Sequence, residues 1–188
     1  MLLLGVLAAQ AEAAAAGSYD LLETEILTGT AATVTFSSLS STYGSDYQHL
    51  QLRFTARDNF AALTNAMIID INSAGSGNFS NHQLLGDGSS VASYANASSV
   101  LRVSEIPENS QSANIFGAGV IDILDAFDTS KYTTVRSIAG HAGSSPRIGL
   151  YSGAYLSTDA VDSITFDATS TSTFNVGSRF SIYGLKVN

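Results

Sequence analysis

The run Asp70-Ile71-Asn72-Ser73-Ala74-Gly75 has the opening of a calcium loop, in which oxygen ligands alternate ahead of a glycine that turns the chain. Ala74 stands where the next ligand belongs, and the Glu that closes such a loop is missing downstream, so a solvated hairpin turn is the expected reading. Asp122, Asp125 and Asp128 crowd the end of one strand-like run, where they would either gather a cation or cap the turn that follows; capping is the commoner use. His49, His82 and His141 are far apart and lack the spacing of metal ligands on a helix. No Gly-x-Ser-x-Gly elbow presents a serine nucleophile. The paired carboxylates of a glycosidase meet in space rather than in sequence, and nothing in the chain selects a pair. With no cysteine there is neither a thiolate metal site nor a disulfide framework. The expectation is a protein that is not an enzyme, with no catalytic residue, no cofactor and no metal site.

The elements that carry these residues are short runs of alternating apolar and polar side chains, the period of a half-buried strand. In 49–57, Leu50, Leu52, Phe54 and Ala56 share one face, and His49, Gln51, Arg53, Thr55 and Arg57 the other. In the closing run, Phe180, Ile182 and Gly184 oppose Arg179, Ser181 and Tyr183. Further strand-like runs cover 21–27, 32–36, 67–72, 79–85, 114–124, 132–139, 147–156 and 163–167, with turn chemistry between them. The runs 67–72 and 79–85, each ending at a glycine-rich turn, are expected to form a hairpin pair. Residues 91–112 are less regular and mix Ser, Ala and Asn around a strand-like 99–103. Roughly nine to eleven strands after one helical segment at the start predict an all-β fold, a jelly-roll-like antiparallel β-sandwich. A single β-sandwich domain is expected over residues 18–188, behind an N-terminal arm over residues 1–17.

The chain has 188 residues, of which only 13% are charged, below the roughly 25% of ordinary soluble domains. Ser, Thr, Ala and Gly fill the gap and make a neutral, hydroxyl-rich surface suited to packing against other protein. A net charge of −8 opposes contact with phosphate backbones, so nucleic acid is excluded as a partner. Residues 1–16 imitate a secretory signal, an apolar start followed by small residues, but no Lys or Arg precedes Arg53. Gln10 and Glu12 interrupt the run before it reaches the length of a membrane span. The remaining expectation is a short helical or extended docking arm whose Leu2, Leu3, Leu4, Val6 and Leu7 pack on a neighbouring subunit. The alternative is a helix folded back on its own domain.

Several phrases spread over most of the chain resemble a family of virion structural proteins of tailed bacteriophages, marine ones especially. They include Val34-Thr35-Phe36-Ser37-Ser38, Tyr47-Gln48-His49-Leu50-Gln51-Leu52-Arg53 and His82-Gln83-Leu84-Leu85-Gly86-Asp87-Gly88-Ser89-Ser90. Asn114-Ile115-Phe116-Gly117, Ile121-Asp122-Ile123-Leu124-Asp125, Lys131-Tyr132-Thr133-Thr134-Val135-Arg136-Ser137 and Gly177-Ser178-Arg179-Phe180-Ser181-Ile182-Tyr183-Gly184-Leu185-Lys186 continue it in order. The resemblance implies a non-enzymatic particle component, assembled in the host cytoplasm and located on the virion. Without a coiled-coil or repeat shaft, a capsid decoration (cement) protein is expected ahead of a complete fibre. Such a protein bridges and stabilises major capsid protein subunits. The implied partners are the major capsid protein or another virion protein and the chain itself, as a homotrimer, with no membrane involved. A tail- or fibre-associated, receptor-facing module is the first alternative, and a carbohydrate-binding or carbohydrate-active secreted β-sandwich the second.

Overall fold

In the computed structural model, which describes residues 19–98, 100–169 and 171–186, the alternating runs form twelve strands and one short helix. In chain order these are β1 (Tyr19–Ile26), β2 (Thr33–Phe36), α1 (Leu39–Tyr43), β3 (His49–Ala56), β4 (Thr64–Ile71), β5 (Phe79–Gly86) and β6 (Val91–Ser98). There follow β7 (Leu101–Pro107), β8 (Gly117–Leu124), β9 (Thr133–His141), β10 (Arg147–Tyr155), β11 (Ile164–Ala168) and β12 (Arg179–Leu185). An eight-stranded sheet runs β1-β12-β3-β8-β9-β10-β5-β6, and a four-stranded sheet runs β2-β11-β4-β7. Every pairing is antiparallel. The fold is an all-β sandwich, and its strands divide unevenly between the two layers. No helix among the described residues is long and apolar enough to cross a membrane.

The core lies between the sheets, where the sequence periodicity sends it. Leu50, Leu52, Phe54 and Ala56 of β3 are buried, as are Phe180 and Ile182 of β12. Met67, Ile69 and Ile71 of β4, with Ile164, Phe166 and Ala168 of β11, face them from the smaller sheet. The Phe180 ring sits 4.7 Å from Phe166 and 4.9 Å from Phe174, so aromatic contacts tie the end of the chain to the opposite layer.

Three expectations are corrected. The runs around residues 70 and 80 are not a hairpin, because β4 belongs to the small sheet and β5 to the large one. Asn72, Ser73, Gly75 and Gly77 all have positive φ, and this chain of left-handed residues carries the backbone across the sandwich instead of reversing it within a sheet. The hairpin partner of β5 is β6, the segment that read as irregular. Its turn is held by Asp87, whose Oδ1 accepts the Ser89 and Ser90 amides at 2.8 and 2.7 Å, with Gly88 at φ 91°. The helix found here, α1, follows β2 in a stretch that reads only as a serine cluster; it buries Leu39 against the core. The helical segment and docking arm expected at the start, with Leu2, Leu3, Leu4, Val6 and Leu7, fall outside the described residues.

Candidate functional site

The outward-facing side of the large sheet exposes aliphatic and polar side chains together. Register fixes its rows. One row crosses seven strands as Tyr183, Gln51, Asp122, Arg136, Ser152, His82 and Ala95. The next is apolar at its middle, with Val120, Ile138, Leu150 and Leu84 side by side. A third carries Ala118, Gly140 and Ile148. Ile138 is 53% exposed, Leu150 52%, Ile148 61% and Leu84 46%, so large aliphatic side chains lie exposed next to one another across β9, β10 and β5. The surface is grooved. A trough of about 860 Å³ lies over β5, β6, β8, β9 and β10, and a second of about 550 Å³ adjoins it through Ile138.

The strand β10 shows why these side chains point outward. Its largest aliphatic residues, Ile148 and Leu150, alternate with Gly149, Tyr151, Gly153 and Tyr155, and it is the second set that faces the core. The Tyr151 ring folds back over Gly149, where a Cβ would stand 2.5 Å from it, and a Cβ on Gly153 would run into Leu101 and the Ser80 carbonyl. Packing against β7 therefore demands glycine on the inner face, and the aliphatic residues are left outside.

The opposite half of the face is polar and internally satisfied. Arg53 lies 5.1 Å from the Tyr19 ring and 5.0 Å from the Tyr183 ring, which stack on each other at 5.0 Å. The Tyr19 hydroxyl and Arg53 Nε both donate to Gln51 Oε1, and Gln51 Nε2 donates to Asp122 Oδ1 at 2.7 Å. Burial raises the Tyr19 phenol above its ordinary range, with the Arg53 charge opposing that shift. Asp122 and Arg136 are direct cross-strand neighbours, yet no ion pair joins them, and among the described residues Arg136 has no ion-pair partner.

A second polar cluster lies buried at the end of the sandwich. The Arg57 guanidinium donates to the carbonyls of Gln111, Ser112 and Ile115 at 2.9–3.0 Å, and so pins the 111–115 loop. Asp58 accepts from Asn65 Nδ2, Ser172 Oγ and the Phe60 amide. Beside it, Glu108 is fully buried, and among the described residues neither of its carboxylate oxygens completes a hydrogen bond. Burial, with the Asp58 charge adding to it, pushes the Glu108 carboxyl up to about 7; the Ala62 amide offsets only part of this. Burial likewise raises Asp58, against the hydrogen bonds that lower it.

The residues singled out for chemistry do not converge. Asn72 holds a loop, its Nδ2 donating to the Ala160 carbonyl and its Oδ1 accepting the Asp162 and Ser163 amides. Asp122 sits on the outer face, whereas Asp125 and Asp128 hold Lys131, and Asp128 also caps the Ser130 amide. His49 Nδ1 accepts the Asp125 amide at 2.8 Å, which ties the start of β3 to the turn after β8. His82 lies on the outer face, and buried His141 is held below the usual imidazole range by desolvation. Among the described residues, no group of three or more His, Asp or Glu is placed to hold a metal ion. Sequence reasoning missed the outer face and the Arg57, Asp58 and Glu108 cluster. The available signal for the face was a pair of strands, β9 and β10, with large apolar residues on both parities, Val135 and Ile138 in the first and Tyr151 and Leu150 in the second.

Compared with protein-family models, with curated proteins and with solved structures, the chain matches none.

Proposed function

We propose that the protein is a non-enzymatic structural component of a phage virion, a capsid decoration (cement) protein that works by association rather than turnover. The observation that carries this reading is the open face of the large sheet, which pairs contiguous exposed aliphatic side chains with polar groups already engaged in holding structure. Such a face is a surface for protein, and its low charge suits close packing. The phrases that resemble virion structural proteins support the particle setting. In this role each copy adds interfaces that internal genome pressure must break before the shell opens, and the effect accumulates over many copies.

The test is to purify particles by density gradient and quantify this chain by mass spectrometry against the major capsid protein. A fixed stoichiometry of many copies per particle is expected. Absence from particles, or a handful of copies confined to tails, contradicts the cement reading. A second reading has one observation in its favour. The trough surrounds an apolar floor with His82, Arg136, Asp122 and Ser152, a mixture of stacking surface and hydrogen-bonding groups that also suits a sugar. Retention on a glycan column, lost on replacing His82 and Arg136 by alanine, would favour carbohydrate binding.

A further inference from the structure

We propose that the outer face of the eight-stranded sheet seats the same face of a second copy, across a two-fold axis that runs along the strands between β8 and β9. Asp122 of each copy then lies on Arg136 of the other. The inference rests on the association reading above and names the occupant of that face.

The strand order supplies the symmetry. Strands β8 and β9 are the fourth and fifth of eight, so the axis passes through the middle of the sheet and places β8 over β9, β3 over β10, β12 over β5 and β1 over β6. Because Asp122 and Arg136 occupy one row on the two central strands, the operation sets a carboxylate on a guanidinium twice. It also answers the observation that Arg136 has no ion-pair partner within the described chain. The surrounding rows are self-complementary in the same sense. Val120 meets Ile138 at the centre and Ile26 meets Val91 at the rim, while Gln51 meets Ser152 and Tyr183 meets His82. Each of the other cations falls opposite an uncharged residue, Arg53 on Leu150 and Arg179 on Gly86.

The size is also right. Eight strands about 4.8 Å apart and about 24 Å long present roughly 800 Å². That is close to the area, about 800 Å² per partner, that a stable specific interface buries. Sheets pack face to face at about 10 Å, a separation that side chains of this size fill.

The experiment is sedimentation velocity of the full chain at a concentration on the order of ten micromolar, with circular dichroism confirming that each variant is folded. The wild type is expected to be a dimer. Arg136→Asp and Asp122→Arg should each weaken it at least about tenfold by setting like charges together, and the double variant, with the charges exchanged, should recover dimerisation. A wild-type monomer, a trimer, or a double variant no tighter than either single one overturns the proposal. Scoring particle attachment alongside separates the two readings. A dimer that never occurs on particles removes the virion function alone, whereas particles decorated by a monomer remove this inference alone.

Discussion

Asp58 and Glu108 are two buried carboxylates within electrostatic reach of one another, joined through the backbone by the Asp58 amide donating to the Pro107 carbonyl at 3.1 Å. The neighbouring cation does not neutralise Glu108. Arg57 commits its guanidinium to three carbonyls of the 111–115 loop.

A pH dependence follows. The folded-state Glu108 carboxyl lies at about 7, above its ordinary value of 4.5, so its contribution is fully present below pH 4.5 and lost as pH rises through 7. Thermal unfolding should therefore show a higher midpoint at pH 5 than at pH 8. Glu108→Gln should raise the pH 8 midpoint by a few degrees and flatten that slope. An unchanged slope in the variant would show that Glu108 is not the group responsible.

Much of the fold was legible because its inward faces obey a simple period. The alternations at 49–57 and 179–187 name the inward apolar residues of β3 and β12, Leu50, Leu52, Phe54, Ala56, Phe180 and Ile182, but they also put Arg57 and Ser181 on the polar faces, and both of these are buried. The pairing of β4 and β5 was not legible, since four positive-φ residues between them decide the path and only the glycines among them advertise it. The strand β6 was hidden by its small polar composition; its order comes from the ladder with β5. The outer face was obscured for a different reason. Which set of β10 faces inward depends on the close approach of Leu101 and the Ser80 carbonyl to Gly153, and those contacts are distant in sequence.

That contact is itself testable. Gly153→Ala inserts a methyl group against Leu101 and a backbone carbonyl, and it should cost about 1–3 kcal/mol in chemical denaturation. Leu150→Ala, made in the Arg136→Asp background that leaves the outer face open, lies on the other face of the same strand and should change stability by less than about 0.5 kcal/mol. Equal effects would mean that β10 faces the other way.

Arg57→Lys keeps the charge but cannot span three carbonyls with one ammonium. It should destabilise the fold by roughly 3–5 kcal/mol and raise amide exchange in the 111–115 loop. Wild-type stability in this variant would show that the guanidinium does not organise the loop.

Arg53→Ala removes the cation lying against Tyr19 and Tyr183 and leaves both rings in place. A loss of about 1 kcal/mol is expected, with faster hydrogen exchange confined to β1, the edge strand that Tyr19 begins. Faster exchange spread over both sheets would contradict a local role.

Hydroxyl-radical footprinting of particles tests most directly whether the outer face is the working surface. Oxidation of Ile138, Ile148 and Leu150 is compared, residue by residue, between protein on the particle and the isolated Arg136→Asp variant, with exposed Tyr132 and Val176 as references. Strong protection of the three aliphatic residues, with the two references reacting at the same rate in both samples, is the predicted result. Equal oxidation of Ile138, Ile148 and Leu150 in both samples would show the face open to water on the particle, and association through it would be wrong.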